Sequence, residues 1–529
     1  MTQTCSRHGG VIRHGHLDNG NTPATFFMPR SKPQKVNPVT DQRMKQRALN
    51  LAVRSGVMVA ALAVAGAAHA NRCSDLIQAF GSQLADAQCF ESTDLTTANP
   101  VTTPAENSLP GLPAFAFTPQ TDRAVIAPDP AHRTPIGGPV PGVQLNARIA
   151  SDPTGEARFL LRLPDAWNGR LVVAGASGTR SEFNGDFAWS DYVVQKGYAY
   201  ASQNKGVLNL KLSMAADPLG CRLNPSLPVY VHFYDNDPGQ EFARWRHYMI
   251  AAAKLARHGV EARYGHEPRY TYAVGTSNGG YQVRRAIETA PELFDGGVDW
   301  EGTFVDAGAP NLLTDLPAAV LNLPDYVASG LDPNSTAAKN IRAAGYPPDL
   351  VTAVPSLWGK YSASFWEVTF CQWQKRLDPT YDTYGAGTGT YNYVARLSAS
   401  DVGEQMSDFA TTGRIQRPLI TLAGTMDGLL PIDHHARAYA RKVRAASEDG
   451  DSMPPYRLYE VQNGNHIETY QATFPQLELI EPHAQKAFDL LVQHVENGAP
   501  LPPDQCIPRG GEIAGAPAQP GHCQALLAP

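Results

Sequence analysis

RYTYAVGTSNGGYQVRRAIETAPELFDGGV, Arg269–Val298, is the stretch on which the fold of this chain turns. It opens with a β-branched and aromatic run, Tyr270 to Val274, and passes through Gly275-Thr276-Ser277-Asn278-Gly279 and Gly280. It then reads as helix from Tyr281 to Ala290, where Pro291 stops it. A strand, a G-x-S-x-G turn and a helix make a sharp elbow that lifts a serine hydroxyl clear of a sheet. The turn is so tight that side chains two residues either side of Ser277 would clash, which accounts for Gly275 and Gly279. At the start of the following helix, the Asn278 amide and the positive end of the helix dipole are placed to stabilise an oxyanion.

Upstream, VQLNARIA and ARFLLRLP alternate as antiparallel strands do. Arg170 to Ala174 then forms an apolar strand of the kind buried in a parallel sheet. It ends in a small-residue loop, Gly175, Ala176, Ser177 and Gly178, whose backbone is expected to supply the second oxyanion amide. Helix is expected from Ser190 to Lys196 and from Phe242 to Tyr264, with a strand from Tyr198 to Ser202. Strands alternating with helices imply a doubly wound, mostly parallel sheet.

Downstream, a strand lies within Phe294 to Phe304 and the next begins at Pro418. The intervening stretch is far longer than a crossover needs. It carries Trp358, Tyr361, Phe365, Trp366, Phe370, Trp373, Tyr381, Tyr384, Tyr391 and Tyr393, and reads as an inserted lid subdomain whose aromatics form mainly its own core. RPLITLAGTMDGLLPIDHH, Arg417 to His435, is a buried strand with Asp427 in the loop past its carboxyl end, where open α/β sheets bind ligands. Asp299, with Glu301 behind it, is the rival acid. Asp433 reads as a helix cap, and His434 and His435 as helix-surface residues. Tyr456 to Val461 is expected as the last strand, followed by His466 in a loop, and a closing helix runs from Pro482 to Asn497. The order Ser277, Asp427, His466 is that of the α/β-hydrolase fold. In that arrangement His466 takes the serine proton and Asp427 orients the imidazole.

The chain has 529 residues, 43% hydrophobic and 18% charged, as a globular protein does. A net charge of −6 argues against a nucleic-acid partner. Residues 1–70 carry a local +7, so the remainder carries −13. Met44 opens a positive segment, an apolar core from Val57 to Ala65 too short to span a bilayer, and Ala68-His69-Ala70. This is the pattern of a secretory signal cut after Ala70, with Met44 the expected start. Export to the periplasm or beyond, without stable membrane insertion, follows. Six of the seven cysteines follow that point: Cys73, Cys89, Cys221, Cys371, Cys506 and Cys523. An even number in an exported chain implies disulfides. Proximity favours Cys73–Cys89 and Cys506–Cys523, leaving Cys221 with Cys371. No cofactor and no metal site is expected. The segments expected are an extension (1–43), signal (44–70), an N-terminal arm without chemistry (71–145), core (146–303), lid (304–414), core (415–498) and a disulfide-containing tail (499–529).

LPDAWNGRLVVAGASG, QKGYAYASQNKG and RYGHEPRYTYAVGTSNGG, with the large insertion, resemble the tannase and feruloyl esterase family of secreted α/β-hydrolases. The likeness covers Leu161 to Val298 and Arg417 to Pro500. It implies ester hydrolysis, often of aromatic acid esters, with Ser277, Asp427 and His466 matching the family's triad. Neighbouring cysteines typical of the family are replaced by Thr276 and Ile467, Met426 precedes the acid, and no clear calcium loop is present. These departures point to a divergent branch acting on another ester, such as a hydroxyalkanoate oligomer. Amide hydrolysis by the same triad and a catalytically silent binding protein are the alternatives.

Overall fold

Alternation of apolar side chains along the buried strands fixes two opposite faces of one sheet. The computed structural model describes residues 72–105, 118–178, 181–207, 210–211, 230–231, 242–381, 391–448 and 454–529. These belong to one compact unit, Ala67–Pro529. The expected signal and its extension, Cys221 and Tyr384 lie outside the described residues.

The strands are β1 (Leu84–Ser92), β2 (Gly142–Ile149), β3 (Arg158–Pro164), β4 (Arg170–Gly175), β5 (Ala199–Gln203), β6 (Leu210–Lys211), β7 (Tyr230–Val231), β8 (Tyr270–Thr276), β9 (Gly296–Trp300), β10 (Leu419–Gly424), β11 (Tyr456–Val461) and β12 (Gln505–Ile507). Among the described residues β6 and β7 form a separate two-stranded pair. The other ten form one sheet in the order β1-β2-β3-β5-β4-β8-β9-β10-β11-β12. Pairing is antiparallel from β1 to β5 and parallel from β5 to β12. This is an α/β-hydrolase fold, with Ser277 directly after β8 in the middle of the sheet.

Leu171 and Val173 of β4 and Ala199 and Ala201 of β5 face one side, against Met249 and Ala252 of helix Ala243–Tyr264 and Val283 and Ile287 of helix Asn278–Thr289. Val172, Ala174, Tyr200 and Val274 face the other, against Phe488 and Leu491 of helix Glu481–Asn497. Helices on both faces leave little sheet in water, which is why these strands read as near-continuous apolar runs.

Two expectations about the ends of the sheet need correction. The N-terminal segment does not merely lie over the core: β1 within it pairs along β2 as the sheet's first strand, and Cys73–Cys89 ties the helix over 72–80 to it. Nor is β11 the last strand, because β12, in the tail, pairs parallel with it and is held by Cys506–Cys523. Both are edge strands, short or irregular enough that their pattern is weak. Cys371 is also disulfide-bonded. The helix expected over Ser190 to Lys196 shortens to Asp191–Val194, behind a wide turn at Asp186–Ser190. The wide turn lets Asp186 and Ser190 both reach the buried guanidinium of Arg162, at 2.7 Å each.

Between β9 and β10 lies a helical insertion. Its main helices are Leu312–Ala328, Thr336–Ala343 and Glu367–Leu377. Trp358, Tyr361, Trp366, Phe370, Trp373, Tyr391 and Tyr393 are buried there in a third core. No helix among the described residues is long and apolar enough to cross a membrane.

Candidate active site

Steric necessity at the elbow comes first. Ser277 adopts φ 61° and ψ −123°, a region sparsely populated by side-chain-bearing residues. A Cβ on Gly275 would lie 2.4 Å from the Gly279 carbonyl oxygen, and one on Gly279 would lie 2.6 Å from that of Gly175. The expected clash is therefore real, and it includes a third glycine, at the end of β4. Asn278 begins the helix, where the first amides have no intrahelical partner. Its side-chain oxygen accepts a hydrogen bond from Thr303 Oγ1 at 3.0 Å.

The structure brings the three expected residues into line. His466 Nε2 lies 3.0 Å from Ser277 Oγ, and His466 Nδ1 lies 2.8 Å from Asp427 Oδ2. Asp427 Oδ1 accepts the amides of Leu429 and Leu430 at 2.8 and 2.7 Å. With Oδ2 accepting from the ring, that polarity puts the His466 proton on Nδ1 and leaves Nε2 to receive the serine proton. All three residues are buried. Burial disfavours the charged imidazole, but the charge and hydrogen bond of Asp427, with Glu301 behind it, outweigh burial and raise the His466 pKa to about 9.

The helical insertion braces this line as well as covering it. Tyr361 donates to Asn465 Oδ1 at 2.8 Å, beside the base, and Trp366 Nε1 donates to the Gly428 carbonyl at 2.7 Å, beside the acid. The C-terminal tail braces the other side, where Thr425 Oγ1 donates to the Leu526 carbonyl.

The rival residues are placed elsewhere. Asp299 is sequestered by Arg284 Nε at 2.5 Å, Thr421 Oγ1 at 2.8 Å and the Gly302 amide at 2.8 Å. Glu301, behind it, does reach the site, with Oε2 3.5 Å from His466 Nδ1. Asp433 pairs with Arg437 at 3.0 Å. His435 is not on a helix surface: it is buried, accepts the Phe304 amide on Nδ1 at 3.0 Å, and meets Asp315 of the insertion. His434 binds the same carboxylate at 2.8 Å. A carboxylate distant in sequence holds both rings, His434 still partly exposed and His435 buried, which no local pattern reveals.

The expected oxyanion loop divides. The Ala176 amide is already committed to Gln282 Oε1 at 2.9 Å, and Gly175 ends β4 against Gly275. Ser177 and Gly178 line the cavity with Ser277 and Asn278. Lys205, which sequence reasoning passed over although it lies in QNKG, donates from its buried ammonium to the carbonyls of Ser177, at 2.6 Å, and Gly178. It holds the backbone of this loop where it borders the cavity.

That cavity has a volume of about 220 Å³. Its wall includes Ile126 of the N-terminal segment, Leu312, Phe365, Val368 and Trp373 of the insertion, and Leu429, Leu430 and Tyr470 of the core. Ser364, Thr369 and Thr469 are spaced among these apolar groups. Glu301, Asp427 and His466 also bring one potential metal-ligand atom each within 4.8 Å of one another. A cation there would displace the Nδ1 proton that Asp427 accepts, so the hydrogen bond and a metal compete for the same atoms.

A family model described as 3HB-oligomer hydrolase (3HBOH) matches residues 379–525, which include Asp427 and His466 but not Ser277. The D-(-)-3-hydroxybutyrate oligomer hydrolase of Burkholderia cenocepacia is 37% identical over 109 residues, 19% of this chain and 15% of that protein. Its counterpart from Burkholderia thailandensis is 33% identical over 147 residues, 26% of this chain and 20% of that protein. The chain thus aligns with a fifth or less of the length of these curated relatives. Among solved structures, feruloyl esterase B from Aspergillus oryzae superposes with a TM-score of 0.46 at 13% identity, over 79% of this chain and 87% of that chain.

Proposed function

We propose that this chain is an exported serine carboxylic-ester hydrolase whose triad is Ser277, His466 and Asp427. Its substrates are hydroxyalkanoate-type esters, with short hydroxybutyrate oligomers foremost. The observation that carries the reading is the line from Ser277 Oγ through His466 to Asp427, at 3.0 and 2.8 Å, on the wall of an apolar cavity.

In this reading Ser277 Oγ attacks the ester carbonyl carbon as its proton passes to His466 Nε2. The developing oxyanion is held by the Asn278 amide and by one from Ser177 or Gly178, each such donor contributing roughly 3 kcal/mol. His466 then protonates the departing alkoxide, leaving an acyl-serine. Water, deprotonated by the same ring, releases the acid and restores the serine. The insertion acts as a lid that keeps the acyl group out of bulk water and braces both triad loops.

The substrate class is supported by the mainly aliphatic wall interspersed with Ser364, Thr369 and Thr469, which suits a neutral chain of ester units, and by the activity named for the matching family and relatives. The rings of Phe365, Trp373 and Tyr470 in the same wall favour aromatic-acid esters as the second reading. Export fits the disulfide-bonded Cys73, Cys89, Cys371, Cys506 and Cys523.

The test is turnover of 3-hydroxybutyrate dimer and trimer beside methyl ferulate, p-nitrophenyl butyrate and the matching anilide, with wild type and Ser277→Ala. The reading expects oligomer cleavage that Ser277→Ala abolishes. Preference for the ferulate ester moves the substrate to the aromatic class. Failure on every ester, with no fluorophosphonate labelling of Ser277, rejects the hydrolase.

A further inference from the structure

Glu301 follows β9 with its backbone at φ 52°, a left-handed conformation uncommon for a residue with a side chain. Its amide donates to the Leu422 carbonyl at 2.8 Å, and its Oε1 accepts the Gly424 amide at 3.1 Å. The second oxygen, Oε2, is buried without a hydrogen-bond partner and lies 3.5 Å from His466 Nδ1. A carboxyl kept only for packing is normally paired, as Asp299 is by Arg284. Among the described residues no arginine or lysine pairs with Glu301, and its one ion-pair contact is with His466. The titratable groups that act on it are Asp427, His466 and Glu468, and its own charge acts on Tyr361. Burial first, and then the charge of Asp427, hold it protonated well above the usual carboxylate range.

We propose that Glu301 is a second acid of the triad, a positioning residue that flanks His466 Nδ1 beside Asp427 and replaces Asp427 as the orienting anion when that charge is lost. The inference rests on the hydrolase reading above. In the resting site Asp427 carries the negative charge and Glu301 the proton. When His466 accepts the serine proton, only the Oγ–H bond breaks, and the imidazolium faces one carboxylate and one neutral carboxyl. Neutralising Asp427 removes one of the two influences that hold Glu301 protonated and leaves burial, so Glu301 ionises at lower pH than before. As pH rises its proton goes to solvent, and its carboxylate lies at the same ring nitrogen.

The experiment is kcat for p-nitrophenyl butyrate, across pH, in wild type, Glu301→Gln, Asp427→Asn and the double variant. Loss of the only orienting acid in such a triad lowers kcat by about 10⁴-fold. The proposal expects Asp427→Asn to lose only about 10²-fold and to regain activity as pH rises and Glu301 ionises. It expects the double variant to fall to the full 10⁴-fold loss without that pH dependence, while Glu301→Gln alone loses about three- to tenfold. A full loss in Asp427→Asn with nothing further in the double variant would overturn it. So would a folded Glu301→Gln as impaired as Asp427→Asn. If Glu301→Gln does not fold, Glu301→Asp in its place retracts the carboxyl by one methylene, and the same comparison applies. An inactive wild type that a fluorophosphonate does not label would instead reject the hydrolase reading itself, and this inference with it.

Discussion

Gly424, at the end of β10, and Gly464, in the loop after β11, touch backbone to backbone: a Cβ on Gly424 would lie 2.3 Å from the Gly464 carbonyl carbon. The adjoining Met426 amide donates to the Gly464 carbonyl at 2.8 Å. This crossing carries Asp427 on one loop to within 2.8 Å of His466 on the other. Gly424→Ala must push the loops apart, because a backbone neighbour cannot rotate away. We expect kcat to fall by about 10²-fold with KM little changed, since ångström-scale misplacement is sufficient for such a loss. Overpacking should destabilise the fold by about 1–3 kcal/mol. Ester kinetics and thermal unfolding check both.

Activity should rise with pH. His466 must be neutral to act as base, and its pKa is raised from an ordinary 6.5 to about 9. The acid limb of kcat/KM should therefore extend well above neutrality. Asp427→Asn removes the principal raising influence on His466, and the rise with pH that remains then follows the ionisation of Glu301. Stability runs the opposite way. A folded-state pKa above the unfolded one stabilises fully below about 6.5, and that contribution is lost as pH rises through about 9. A pH series of kcat/KM beside melting temperatures tests the sign of each.

Lys205→Met should act on turnover more than on binding. The ammonium holds the Ser177 and Gly178 carbonyls, and its loss frees the loop expected to give the second oxyanion donor. Removing one such donor lowers kcat by about 10²–10³-fold. We expect a loss approaching the lower figure, with KM within a few-fold. Lys205→Arg should not restore it, because a planar guanidinium does not replace a compact ammonium.

Asp186→Asn should be a stability variant. Arg162 and Asp186 are both fully buried and meet through two contacts, at 2.7 and 3.1 Å. Thr103 Oγ1 also donates to Asp186, at 2.7 Å, tying the N-terminal segment to the pair. Removing one charge strands the other in the interior, which costs about 3–5 kcal/mol. Urea unfolding measures it.

Local chemistry made much of this legible in advance. The elbow could be read because Gly275, Ser277 and Gly279 answer to a steric demand confined to a few neighbouring residues. β4, β8 and β10 could be read because strands buried on both faces are apolar almost throughout, and β11, with Arg457 and Glu460, carries a weaker form of the same signal. Asp427 and His466 could be read because each follows such a strand. The edge strands β1 and β12 could not, since their pairing depends on partners far away in the chain rather than on their own pattern.

The sequence by itself thus determined the elbow, the buried strands and the order of Ser277, Asp427 and His466 after them. Turn sterics and strand periodicity act over a few residues and are written there. Only the tertiary structure decided that Ala176 spends its amide on Gln282, that Lys205 holds the loop beside it, that His435 is buried against Asp315, and that Glu301 rather than Asp299 stands next to His466. Each depends on which buried polar group finds a partner across the fold and which is left without one. Distance through space settles that, and spacing along the chain does not encode it.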